Sequence, residues 1–451
     1  MNCILRGVRV IDPLARRDAV GEDVWLSEGR IIAIYKHMGE GNLPVIDLTP
    51  PPGGTPVILC PGFIDLHTHL REPGDEGAET LHSGSQAAAA GGFTHVLAMA
   101  NTVPPIDSPE RVKDATFRAI AASVQVLTGC ALTRGLQGEE LVDMEACAAA
   151  GAAAFSDDGH NSFSPRLLSE AIGRAASLGR PVLVHPEDEE IIAQVNSVQG
   201  PVQRCALRPV EAETRAVDFA LRALVHAGSG HVHLQHLSAA ASVELLRRAK
   251  EGGANVTAEV TPHHLGMWLP FATEPQPPGL LKVNPPLRTD QDREALVQAL
   301  RDGVIDAVAT DHAPHRVEEK ALPYDRAAPG MIGLELALAV CLTLGGMGGD
   351  WIPTLIDRLT IGPYRVLGHS SEIRAPRLRI GEAATCVLFD PAAEWTVEPS
   401  HLRSGSQNTP LLGARLRGRV LMTLVDGALV HHDRQRLPWP APAGGAESDH
   451  A

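Results

Sequence analysis

Six residues in this chain have the types and spacing needed to hold metal ions and move protons: His67, His69, Asp158, His185, His236 and Asp311. His67 and His69 lie in PGFIDLHTHL, where the two-residue period of a strand points both rings to one face, as chelation of one ion requires. His185 ends PVLVH and His236 ends HVHLQH, each placing an imidazole at the rim of an apolar run. By the same alternation His231 and His233 face away from His236, which shares the inward face with Leu234, so these two read as packing or surface residues. Asp311 follows DAVAT, where a carboxylate is costly unless it binds metal, pairs with a cation or works as a base. Taken singly, each has a plain alternative: packed or surface histidines, or an ion-paired acid. Taken together, four histidines and two carboxylates at the ends of apolar runs point to a site. Nitrogen and carboxylate ligands without thiolates suit Zn²⁺ or a similar divalent ion, and six are too many for one open tetrahedral centre. Two ions sharing a bridging hydroxide is the natural division.

The elements that must position these residues are short apolar runs alternating with Ala- and Leu-rich helical stretches such as 165–176, 210–226 and 241–251. Eight runs read as strands: 63–69, 95–101, 124–130, 153–158, 181–185, 231–236, 255–261 and 306–311. Eight parallel strands with intervening helices predict a (β/α)8 barrel, whose strand C-termini converge on one face. Those ends carry His69, Asn101, Asp158, His185, His236, Thr261 and Asp311.

Flanking this middle, residues 1–58 and 376–432 alternate apolar and polar in short stretches, and they read as β-like pieces that can form one small domain together around a barrel at 59–375. Residues 433–451 read as a flexible, Pro/Gly/Ala-rich tail. The 451 residues carry 39 Lys and Arg against 54 Asp and Glu, a formal charge of −15. That balance argues against a nucleic-acid or anionic-membrane surface, so an anionic substrate needs a local cationic pocket. The N-terminus lacks a signal-peptide core and the longest apolar run, about 336–344, is too short to span a bilayer, which predicts a soluble cytoplasmic protein. Seven cysteines without a CxxC pair fit reduced buried thiols. No P-loop, GxSxG elbow, HExxH or GxGxxG occurs.

The segments PGFIDLHTHLREPG, GGFTHVLAMANT, FSDDG, VTPHHL, VNPPLR and ATDHAPH resemble bacterial dihydroorotases of the class I type, in the amidohydrolase superfamily, over about residues 5–430. The resemblance implies a distorted (β/α)8 barrel with a β-sandwich. It implies one zinc held by His67 and His69, a second by His185 and His236, a bridging Asp158, and Asp311 as both ligand and general acid and base. Arg71, Asn101, Asn284 and His315 match positions that contact substrate, and Pro329 and Gly330 match a substrate loop. The bridging carboxylate has one further support: related amidohydrolases use a carbamylated lysine there, yet no lysine occurs between Lys113 and Lys250. Asp157 is the alternative, as bridge or as a turn residue before Gly159. Departures are Pro186 where the family usually has Cys, MANT for MPNT, and AAPG at 327–330 where a Phe commonly precedes the Gly.

The implied reaction is reversible closure of N-carbamoyl-L-aspartate to L-dihydroorotate with loss of water, in pyrimidine synthesis. The resemblance leaves room for a homodimer and for association with an aspartate transcarbamoylase. Two other readings stand beside it. A hydantoinase or allantoinase is opposed by the missing bridge lysine and by Arg71, and an inactive scaffold subunit is opposed by retention of all six ligands.

Overall fold

Short runs of Val, Leu, Ile and Ala, too brief to be helices and bounded by Gly, Pro or Asn, form the strands on which the site is mounted. The structure is a computed structural model describing residues 2–37, 43–161, 163–196, 208–268, 278–346, 349–368 and 373–438. Most of the expected tail, from 439 onward, and Cys205 lie outside these residues. The chain begins with β1 (Asn2–Asp12), β2 (Arg17–Ser27), β3 (Arg30–Lys36), β4 (Val45–Asp47) and β5 (Ile58–Pro61). The barrel follows with β6 (Phe63–Thr68), β7 (Phe93–Ala98), β8 (Gln125–Cys130), β9 (Ala152–Phe155), β10 (Val182–Val184), β11 (Val232–Leu234), β12 (Val256–Val260) and β13 (Ala307–Val308). It ends with β14 (Cys386–Thr396), β15 (Arg415–Val425) and β16 (Ala428–His432).

Strands β6 to β13 pair in parallel in chain order, which is the expected barrel. Closure between the last strand and the first is made just past the short β13. Thr68 bridges His312 in parallel, and the His69 amide donates to His312 O at 2.8 Å. The buried Asp65 carboxylate supports the seam, accepting from Thr310 N at 3.0 Å and Thr310 Oγ1 at 2.5 Å. Helices Pro165–Ser177, Val210–Ala227 and Ala240–Glu251 fall where the sequence predicts them. Ser164 caps the first through its side chain, with Pro165 at the first turn where a missing N–H costs nothing.

The remaining strands form a second sheet in the order β16-β15-β14-β5-β1-β2-β3, with β4 against β1. The β5 strand, parallel to β1 and antiparallel to β14, joins the two chain ends. Side chains from β1–β5, β14 and β15, among them Leu5, Val24, Ile34, Leu59, Leu388 and Met422, share one core. This sheet docks on the barrel through Phe389, whose ring centroid lies 6.3 Å from Phe63, itself edge-on to Phe93 at 5.7 Å. Thr423 Oγ1 adds a hydrogen bond to Ala89 O at 2.7 Å.

One expected orientation is reversed. Leu234 packs with Val232, Val256 and Ala258 in the core between barrel and helices. His233 therefore points inward, fully buried, where the sequence reading made it a packing or surface residue. His236 lies past the end of β11 with φ +31°, so strand alternation does not carry to it.

Candidate active site

The six expected ligands meet at the C-terminal ends of the barrel strands, each at or within three residues of a strand end. His67 Nε2 is 3.2 Å from Asp158 Oδ1 and 3.5 Å from Asp311 Oδ1. His69 Nε2 is 3.4 Å from Asp158 Oδ2 and 3.2 Å from Asp311 Oδ1. His185 Nδ1 is 3.5 Å from Asp158 Oδ1 and 2.8 Å from His236 Nε2. All six side chains are buried. Asp158 thus has the His67–His69 pair on one side and His185 on the other. Ligand-capable atoms converge in two overlapping groups, His67, Asp158 and His236, and His67, His69 and Asp311.

The hydrogen-bonding around the rings tests whether a cation belongs here. His67 Nδ1 faces Glu259 Oε1 at 2.8 Å, His69 Nδ1 faces Asn101 Oδ1 at 3.0 Å, and His185 Nε2 faces Glu187 Oε2 at 3.0 Å. Each outer nitrogen therefore meets an oxygen acceptor and carries the proton, which leaves each inner nitrogen's lone pair aimed at a carboxylate. Lone pairs facing lone pairs in a buried cleft call for positive charge between them. Asp158 Oδ1 and His236 Nδ1 are buried without a hydrogen-bond partner among the described residues. The donor set is all nitrogen and carboxylate oxygen, while the six described cysteines are free, buried thiols outside it. The residues fit divalent cations.

The electrostatics agree. Burial works against a charge on His67, but Asp158, Asp311 and Glu259 outweigh it and hold its pKa well above the usual value. His185 is likewise desolvated, yet Asp158 and Glu187 lift it to about 9. Burial raises both carboxylates, but the surrounding imidazoles more than reverse this, leaving Asp158 and Asp311 below the ordinary range. His236, without a carboxylate of its own, is pushed down to about 3 by burial and by His185 and His67. The protein without metal draws protons to places where metal ions would put their charge.

Asp157 does not join the cluster. Its Oδ1 accepts from Leu132 N at 2.7 Å and Thr133 N at 3.0 Å, and Oδ2 accepts from Thr133 Oγ1, so it fastens the loop after β8.

The expected substrate residues divide. Arg71, at φ +59°, donates from Nε to Pro314 O at 3.1 Å, and its Nη2 lies 3.3 Å from His315 Nε2. His315 Nε2 donates to Pro329 O at 2.7 Å, so Arg71, His315 and the AAPG loop adjoin one another despite the altered loop sequence. Burial and Arg71 press His315 down to about 3, which makes it a neutral donor. Asn101 spends both ends of its amide on the cluster, accepting from His69 and donating to Asp158 Oδ2 at 3.2 Å. Asn284 is half-buried beside Pro285, whose carbonyl accepts from His264 Nε2 at 3.1 Å.

Several residues escaped the sequence reading. Glu259 reaches His67 and also His233 Nε2 at 3.0 Å, with His233 Nδ1 on Thr257 Oγ1 at 2.8 Å. Glu187 joins His185 to Arg208. The signal for Glu259 was present as an acid inside an apolar strand, AEV in β12, the same signal that marked Asp311, whereas Glu187 lies three residues past the end of β10.

A family described as Dihydro-orotase-like matches residues 56–242. Curated proteins named dihydroorotase from Anaeromyxobacter dehalogenans and Clostridium acetobutylicum are 39% and 37% identical over 440 and 442 residues, spanning 95% and 96% of this chain and 98% and 100% of theirs. Another so named, from Aquifex aeolicus, is 36% identical over 437 residues, 96% of this chain and 100% of its own. Among solved structures, the L-hydantoinase (dihydropyrimidinase) from Arthrobacter aurescens is similar at TM-score 0.83 and 25% identity, over 96% of each chain. A D-hydantoinase from a Bacillus species, at TM-score 0.80 and 23% identity over 96% of each chain, shares the fold.

Proposed function

The chain belongs to the dihydroorotase family, and on that premise we propose that it interconverts N-carbamoyl-L-aspartate and L-dihydroorotate in pyrimidine biosynthesis, as a binuclear zinc enzyme. The observation carrying the reading is the placement of Asp158 between His67 and His69 on one side and His185 on the other, with Asp311 beside the first pair. In this reading His67, His69 and Asp311 would hold one zinc ion and His185 and His236 the other, with Asp158 available to both. Bound there, the ions would supply a water made nucleophilic near neutral pH and polarisation of the ring amide.

The chain's own groups do the rest. Arg71 provides the fixed cation for the substrate carboxylate, with neutral His315 beside it holding the Pro329 carbonyl, and Asn284 and the Pro329–Gly330 loop as further substrate contacts. Asn101 holds the His69 ring and the Asp158 carboxylate in place. Asp311 takes a proton in the hydrolytic direction and returns it to the departing ring nitrogen, a transfer suited to a carboxylate kept ionised by its neighbours.

A fixed cation at Arg71 favours dihydroorotate over the uncharged rings implied by the hydantoinase-like fold. An absorbance assay of dihydroorotate hydrolysis, with hydantoin and allantoin alongside, tests this, and faster turnover of either neutral ring overturns it. Closure turns a dianion into a monoanion and so consumes a proton. The equilibrium ratio must therefore move toward dihydroorotate as pH falls from about 8 to 6, by nearly tenfold per unit.

A further inference from the structure

Lys320 ends the short helix Val317–Lys320 and is 2% exposed, yet no carboxylate among the described residues is hydrogen-bonded to it. Its ammonium meets three backbone carbonyls instead: Ala328 O and Gly330 O at 2.7 Å each, and Lys282 O at 3.2 Å. An ammonium has three N–H donors and no more, so the group is saturated. The carbonyls belong to two segments far apart in sequence. Lys282 lies two residues before Asn284, and Ala328 and Gly330 bracket Pro329.

Other contacts run along the same seam. Gly330 N donates to Lys282 O at 2.8 Å, Lys282 Nζ donates to Asp325 O at 2.9 Å, and Asn408 Nδ2 donates to Gly330 O at 3.2 Å. The backbone at Gly279 comes so close that a Cβ there would lie 2.3 Å from Lys320 O. Burying an ammonium on carbonyls alone is costly, and burial together with Lys282 pulls Lys320 down to about 7. A site that only needed packing would be served by Met or Leu at lower cost.

We infer that Lys320 is a positioning residue for substrate, one ammonium that fastens the Pro329–Gly330 loop to the segment bearing Asn284 so that both meet the substrate at a fixed separation. The inference rests on the proposed reaction. Neither segment touches the six-ligand cluster through Lys320, so losing the ammonium loosens substrate binding and leaves metal and proton transfer alone. Interactions equal in ground and transition states raise KM without lowering kcat when removed.

The experiment measures zinc-loaded wild type, Lys320→Met and Lys320→Gln for KM, kcat, metal content and hydrogen exchange over 321–331. The expected result for Lys320→Met is a KM for dihydroorotate raised about tenfold or more, kcat within about threefold, unchanged metal and faster exchange in that loop. Lys320→Gln, with two donors, should fall between it and wild type. An unchanged KM, or a kcat that falls with the folded fraction at constant KM, overturns the inference, as does failure of both variants to fold. Wild type that does not turn over dihydroorotate overturns the proposed reaction instead, which keeps the two failures distinct.

Discussion

At the scale of single residues, the site separates holding charge from moving it. In the proposed reaction Asp311, whose Oδ1 lies within 3.5 Å of the His67 and His69 ring nitrogens, accepts the proton from water. Asp311→Asn keeps shape but can neither accept that proton nor deliver it. With zinc restored to saturation, kcat should fall about a hundredfold or more in both directions, and retention of over a tenth of wild-type kcat would move the proton-transfer role elsewhere. In the same proposal Arg71 answers a different need, since a chain of net charge −15 offers no general attraction to an anion. Arg71→Met should cost about 2–4 kcal/mol in kcat/KM for dihydroorotate with zinc content near wild type. Near-normal kcat/KM would remove Arg71 from the substrate site.

At the scale of elements, three strands cooperate through one acid. Glu259 on β12 accepts from His67 on β6 and from His233 on β11, so its carboxylate sets the ring orientation of a proposed ligand two strands away. Gln at this position keeps one oxygen acceptor and replaces the other with a donor, so it cannot accept from both rings. Glu259→Gln should weaken zinc binding about 10- to 100-fold, read by competition with a chelator at limiting metal, with the fold retained. Unchanged affinity would reduce Glu259 to a core ion pair. The sequence marked β12 as a strand and placed its end correctly, but it left Glu259 unnoticed, because an acid in an apolar strand acquires its partner only when the sheet closes into a barrel.

At the scale of the whole molecule, the barrel and the chain-end sheet meet at a joint with little tolerance. Gly92 takes φ +88° and an added Cβ would lie 2.8 Å from Val387 Cγ2 and 3.0 Å from the Phe63 ring. Gly92→Ala therefore combines left-handed backbone strain with overpacking and should destabilise by about 2–4 kcal/mol in denaturant unfolding. A change below about 0.5 kcal/mol would show that the sheet can shift away from the barrel freely. Phe63 is the first residue of β6, so strain at the joint reaches the strand that bears His67.

The sequence alone determined the eight barrel strands to within about three residues at every end, because each is a short apolar run between turn residues and that pattern is local. It also determined that His67, His69, His185, His236 and Asp311 converge with one acid of the Asp157–Asp158 pair, since polar side chains at the ends of barrel strands must share one face. Tertiary structure decided the rest. It turned His233 inward against the expected alternation. It chose Asp158 for the cluster and tied Asp157 to Thr133, two neighbouring acids that a linear reading cannot rank. It bound Arg71, His315 and Pro329 together across 258 positions of sequence, and brought Lys320 onto carbonyls from two segments. Periodicity reports which face a residue occupies, while partners across a barrel are fixed by closure, and closure is a property of all eight strands at once.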